Sequence, residues 1–222
     1  MKKIPIILGN ALIVLLTLTF VAFYAGNQRR QLLTAQTEAF ESMTVAMEHV
    51  TTTYLIGEQR VCASWARHIN ASSMTAEEAI AFLRTSVTNE SFMAHLVYVE
   101  GDRLTGRGLS TVPENPDNAP DDLTVSYQNT DLFPNGIEAF FNGSKSVCVT
   151  RTFNNPINSR RSIAFCERVV LADGETGGPL DAVLLRIIPE SLFKREWTFP
   201  TNDFEGAEIT LLTVDGNYVI SG

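Results

Sequence analysis

SKSVCVTRTF (144–153) and SRRSIAFCERVVL (159–171), with the turn-rich NNPIN (154–158) between them, decide the fold of this chain. Both arms are rich in apolar and β-branched residues and carry no internal glycine or proline, so they read as one long antiparallel hairpin. Paired residue numbers in such a hairpin have a constant sum, and setting Cys148 against Cys166 centres the turn on residue 157, inside NNPIN. The two cysteines then face each other, near enough for a disulfide if they occupy a non-hydrogen-bonded position. A disulfide there persists only in an oxidising compartment, and two buried thiols are the reading for a reducing one. By alternation Arg151 shares a face with Val149 and Phe153 and lies away from Cys148.

Working outward, residues 180–188 form the next antiparallel strand after the DGETGG turn (173–178), and Pro189 suits the first turn of a helix running to Trp197. AEITLLTVDGNYVI (207–220) reads as a last hairpin about Asp215-Gly216. Upstream, strands over 94–100 and 104–109 enclose a Gly101-Asp102 turn, the proline-rich 111–122 is a loop, 123–127 is a short strand and 136–142 a short helix. Thr75 with Glu78 makes a capping box that opens a helix to Arg84. Residues 29–70 contain no proline, and Leu33, Phe40, Met47, Tyr54 and Val61 recur every seven, the stripe of a long helix packing on its own domain or on a second copy. Cys62, on that helix, is a small core residue. The fold class is α+β: antiparallel strands joined by turns too short for parallel crossovers, flanked by helices.

Residues 4–26, IPIILGNALIVLLTLTFVAFYAG, hold no charged side chain. As a helix they reach ~35 Å, enough to cross a bilayer core of ~30 Å. The run is too long for a secretory signal and lacks small residues at alternate positions before a cut. It is expected to be a transmembrane helix. Lys2 and Lys3 on one side are matched by Arg29 and Arg30 on the other, so flanking charge leaves the orientation open. The first 30 residues carry those four cations and no acid, leaving 13 basic against 25 acidic residues beyond them. That acidic remainder disfavours nucleic acid and anionic lipid as partners, and with the cysteine placement it favours an extracytoplasmic C-terminal part.

No metal-ligand, nucleotide-binding or nucleophile motif occurs, and His49, His68 and His95 lack a second ligand at metal spacing. No catalytic residue, metal or cofactor is expected, and what remains is binding. Arg186 interrupts the apolar AVLLRII (182–188) and Arg151 stands mid-strand; each points to solvent, pairs with a carboxylate, or aims its planar fork at a ligand. Tyr98 and Tyr127 are candidate aromatic walls of such a pocket. A rival reading is an adhesive or structural ectodomain carrying the sequons at Asn70, Asn89 and Asn142, and a hydrolase assembled from distant residues is a third.

GEQRVCASWARHIN (57–70), MTAEEAIAFLR (74–84), SIAFCERVVL (162–171) and AVLLRIIP (182–189), behind an N-terminal anchor and a long helix, resemble the Cache superfamily of extracytoplasmic sensor domains with a PAS-like fold. Within it they resemble the sensor regions of hybrid sensor histidine kinases; similar sensors are fused to diguanylate cyclases and chemoreceptors. The resemblance implies a small-molecule ligand such as an amino acid or organic acid, a homodimer through the long helix, and a signal passed through the membrane. It divides the chain into a cytoplasmic tail (1–3), a transmembrane helix (4–26), a membrane-proximal helix (27–72), a sensor lobe (73–200) and the start of a second lobe (201–222). The chain carries no kinase motif and is expected to be part of a longer receptor. Arg195 and Trp197 offer only part of the R-x-W-Y signature of amino-acid sensors, because Thr198 follows.

Overall fold

The computed structural model describes residues 4–87, 93–110, 121–133, 136–142, 147–174, 178–192, 210–212 and 219–221, with the backbone alone at 4–13, 110, 121–122, 147, 210–212 and 219–221. The chain forms two units, Met1–Val50 and Thr51–Gly222. The first belongs to helix α1 (Ile4–Ala71). Val14, Leu15, Leu16, Leu18, Phe20, Val21 and Phe23 are all exposed along it. Thr19, Thr37 and Thr44 return their hydroxyls to carbonyls four residues back. Among the described residues no helix is long and apolar enough to cross a membrane, and the side chains of 4–13, part of the expected span, lie outside them.

In the second unit α2 (Ala76–Ser86) opens on the expected capping box: Glu78 N–H donates to Thr75 Oγ1 and Thr75 N–H to the Glu78 carboxylate. Strands β1 (Met93–Glu100), β2 (Arg103–Ser110) and β3 (Asp121–Gln128) form a meander. Glu100 pairs Arg103 across Gly101-Asp102, and Gly101 at φ +62° supplies the left-handed residue that a two-residue hairpin turn requires. Helices α3 (Asn129–Leu132) and α4 (Ile137–Asn142) follow, then β4 (Val147–Val149), β5 (Phe153–Asn154), β6 (Arg161–Ala172) and β7 (Pro179–Pro189). The sheet order is β3-β2-β1-β7-β6-β4, antiparallel throughout, with β5 also on β6. Strands β8 (Thr210–Leu212) and β9 (Val219–Ser221) pair separately.

One face of the sheet is covered by α1 and α2 through Cys62, Ala66, Ile69, Ala79, Ile80 and Leu83. Its opposite face builds a second core from Val97, Leu104, Val125, Val183, Leu185 and Ile187, under Leu132, Phe133, Ile137 and Phe153. Residues 182–188 are therefore buried without alternation, as in any strand covered on both faces. Beyond the end of β4, the Asn70 side chain takes over the edge of β6, donating to Arg168 O and accepting from Val170 N–H. Ala172 N–H donates to Met74 O.

Three sequence expectations are corrected. The helix turns its Glu58, Cys62, Ala66 and Ile69 edge to the sheet, so the sevenfold stripe is not the face that packs on it: Leu33 and Phe40 are exposed, Tyr54 and Val61 half-buried, and Met47 alone of the five is buried. Pro189 ends β7 instead of opening a helix; 190–192 are helical, and 193–197 lie outside the described residues. Phe153 leaves the face of Val149 because the pairing shifts by one residue around Thr150: Val149 faces Phe165, whereas Phe153 faces Ser162. Thr150 makes the shift with its own hydroxyl, which accepts from Ala164 N–H.

Candidate functional site

The four residues singled out as a binding set do not meet. Arg151 is exposed. Arg186 is buried on the helix-covered face, its Nε 2.5 Å from Glu58 Oε2 and its guanidinium 4.7 Å above the Trp65 ring, so its fork binds the helix of its own domain. Tyr98, half-buried on that same face, has its hydroxyl pKa raised by burial. Tyr127 lies on the opposite face. Beside Arg186, Glu167 Oε1 is buried without a hydrogen-bond partner, and burial raises its carboxyl pKa to about 7. The same surroundings push the Cys62 thiol up to about 12.

Cys148 faces Cys166 in the expected register, and the two are thiols not joined by a disulfide. Thr150 N–H donates to Ala164 O, which marks that pair as a hydrogen-bonded one. Two residues along, the cysteines repeat it, so they take the wider position, with Cα atoms ~5.5 Å apart, still within the ~4.4–6.8 Å that a disulfide spans.

What converges is a polar inset in the apolar face opposite the helices. Met93, His95 and Val97 alternate inward along β1, and Tyr127 comes from β3 two strands away. His95 Nδ1 is 2.5 Å from the Tyr127 hydroxyl. His95 is fully buried, and desolvation lowers its pKa to about 3, so the imidazole is neutral. Its other nitrogen, Nε2, has no hydrogen-bond partner among the described residues. Gly108, paired with His95, makes room for the ring: a Cβ there would stand 2.9 Å from Nε2. Burial also raises the Tyr127 hydroxyl and Cys166 thiol pKa values, so the inset holds no charge.

Asn155 completes it. Its Oδ1 accepts from Ile157 N–H in an Asx turn, while its buried Nδ2 donates to Met93 Sδ at 3.0 Å, a weak acceptor. Phe153 sets its ring edge-on to Tyr127 at 5.5 Å. The sequence reading passed over His95 as a histidine without a second metal ligand and Asn155 as a turn residue. The signal for His95 was there: its i±2 neighbours Met93 and Val97 are apolar, which turns it inward. Asn155 carried none, since only the folded loop brings it to Met93. Elsewhere, a cleft of 440 Å³ is lined by Arg160, Arg161, Glu190 and Ser191, with Arg161 Nε 3.3 Å from Glu190 Oε2. Among the described residues no group of His, Cys, Asp and Glu is arranged to hold a metal.

No protein-family profile matches the chain, and no curated protein does. Among solved structures, the chain is similar to the sensory domain of the Campylobacter jejuni chemoreceptor Tlp3, with a TM-score of 0.47 and 12% identity over 83% of this chain and 73% of that one.

Proposed function

We propose that this chain is the ligand-sensing part of a membrane-anchored signal-transduction receptor. Residues 4–26 span the membrane, 1–3 remain cytoplasmic, and the sheet domain stands on the extracytoplasmic side, where Cys148 and Cys166 are oxidised to a disulfide. A small molecule binds the face opposite the helices and shifts the balance between two states of the domain, and α1, paired with a second copy, carries the difference to a histidine kinase output. The kinase rests on the sequence resemblance alone; a chemoreceptor or diguanylate cyclase output uses the same sensing step.

The observation that carries this reading is the placement of two buried polar groups back to back. Ala94 pairs with Arg186 and His95 with Leu185, so the inset's histidine and the arginine that holds Glu58 of the helix are one register step apart on neighbouring strands. Any displacement of β1 at His95 reaches the helix contact through one ladder pair.

The test is a thermal-shift screen of the full chain in detergent micelles against amino acids, organic acids and neutral heterocycles. A ligand that raises the Tm is expected, and Arg186→Met is expected to leave its affinity within about threefold while abolishing the ligand-dependent change at α1 read by a spin label at Gln59. A screen without any stabilising compound overturns the reading.

A further inference from the structure

The inset on the face opposite the helices has two polar groups that folding leaves short of partners. His95 Nε2 is fully buried and has no hydrogen-bond partner among the described residues. Asn155 is fully buried as well, and among the described residues its Nδ2 reaches only the Met93 thioether, at 3.0 Å. Each falls well short of what a buried nitrogen ordinarily finds, since such groups are almost always paired with a good acceptor or donor. They also lie close together. Met93 and His95 are two residues apart on one face of β1, about 7 Å along the strand, and Asn155 is held over the first of them. Between and around them are the aromatic rings of Tyr127 and Phe153.

The chemistry around these groups restricts what could satisfy them. His95 is neutral, Tyr127 keeps its proton, Cys166 is uncharged as a thiol or as a disulfide, and Asn155 is an amide, so none of these groups carries a formal charge. A carboxylate or ammonium brought there would lose its hydration with no counter-charge in return. An uncharged ring with a carbonyl and an adjacent N–H loses far less, stacks on the aromatic walls, and offers an acceptor to Asn155 Nδ2. The second group of the same ring serves His95 Nε2 in either tautomer: its N–H donates if Nδ1 carries the imidazole proton, and a carbonyl accepts if Nε2 does. The covering residues are Phe153, in the two-residue strand Phe153–Asn154, and Asn155 directly after it, the part of the wall with the least ladder pairing to break.

Resting on the sensor reading above, we infer that this inset binds a small, planar, uncharged cyclic amide, with its carbonyl on Asn155 Nδ2 and its adjoining polar group on His95 Nε2. An amino acid or organic acid, the ligand class that the sequence resemblance implies, does not fit an inset without a charged partner.

Uracil and 2-pyridone serve as neutral probes, succinate and glutamate as charged ones, added to the full chain in detergent micelles, with Tm and calorimetric affinity as readouts. The neutral probes are expected to raise the Tm by several degrees and the charged ones to leave it unchanged. His95→Phe and Asn155→Asp, the second of which keeps the Oδ1 turn and removes the donor, are each expected to weaken neutral-probe binding at least tenfold. Should a variant fail to fold, the ¹⁵N signal of His95 Nε2 in the unaltered protein decides, moving on addition of uracil if the site is right. Stabilisation by succinate or glutamate alone overturns this inference and leaves the sensor reading standing. Neutral-probe binding that ignores both substitutions, or a His95 signal that stays still, moves the site elsewhere. No stabilisation by any compound, in this set or the wider screen, overturns both.

Discussion

Arg186 and Glu58 form a charged pair inside the protein, Nε to Oε2 2.5 Å, between the middle of the sheet and a helix turn 128 residues earlier in the chain. Trp65 closes the site against the guanidinium. Two charges taken out of water repay their desolvation only while both are present, so removing one is costly and removing both is not. Glu58→Leu alone and Arg186→Met alone are each expected to cost about 3–5 kcal/mol, and the double replacement about 1 kcal/mol or less. Chemical denaturation of the four proteins checks this; equal losses in single and double variants would show that the pair is not a unit.

Glu167 gives the protein a stability slope of unusual sign. Its folded carboxyl pKa is raised from 4.5 to about 7 by burial, so the folded state holds the proton more tightly than the unfolded one. The contribution is fully present below about pH 4.5 and is lost as pH rises through 7. Glu167→Gln is expected to match the parent near pH 4.5 and to exceed it by about 1–2 kcal/mol above pH 8, the ceiling being lowered by Arg67 nearby. Melting curves from pH 4 to 9 decide it, and a gap that is constant with pH would refute the assignment.

His95 acts in the other direction. Its folded pKa is lowered from 6.5 to about 3, so its contribution is fully present above pH 6.5 and is lost as pH falls toward 3. The slope is at most about 1.4 kcal/mol per pH unit. His95→Gln is expected to flatten the acid limb of the stability profile while lowering stability at neutral pH, where the bond to Tyr127 is lost.

The three thiols are expected to differ in reactivity as their burial does. Iodoacetamide on the reduced native protein should label Cys148, which is half-exposed, and spare Cys62 and Cys166, both buried with raised pKa values, until the chain is unfolded. Protein recovered from an oxidising compartment should yield a Cys148–Cys166 peptide under non-reducing digestion. Labelling of Cys62 first, or an intermolecular dimer in place of that peptide, would contradict the register.

A methyl group at position 108 tests the packing of the inset directly. Gly108→Ala sets a Cβ 2.7 Å from Val125 Cγ1 and 2.9 Å from the His95 ring. A loss of about 1–3 kcal/mol is expected from the overpacking, relieved in the Gly108→Ala, His95→Ala double variant.

The parts of this fold that were legible in the sequence are those written locally. The capping box, the Gly101 turn and the hairpin that sets Cys148 against Cys166 each depend on residues within a few positions of a turn or helix start. The missed parts depend on a single step of phase or on distant chain. Thr150 shifts the hairpin by one residue, which was enough to carry Phe153 from the face of Val149 into the inset beside Tyr127. A helix of 3.6 residues per turn drifts off a strict sevenfold stripe, which is why Cys62 and Ile69 face the sheet in place of Val61. Arg186 was recognisable as out of place in an apolar strand; its partner on the helix was not, because nothing local links residues 58 and 186.

Asn70 has an effect beyond its own hydrogen bonds. By taking Arg168 O and Val170 N–H with one amide, it occupies backbone groups that a sheet margin otherwise offers to any passing strand. With Ala172 N–H held by Met74 O, the far half of β6 is closed to zippering with neighbouring molecules. That protects a domain whose longest strands, β6 and β7, lie next to each other against fibrous self-assembly.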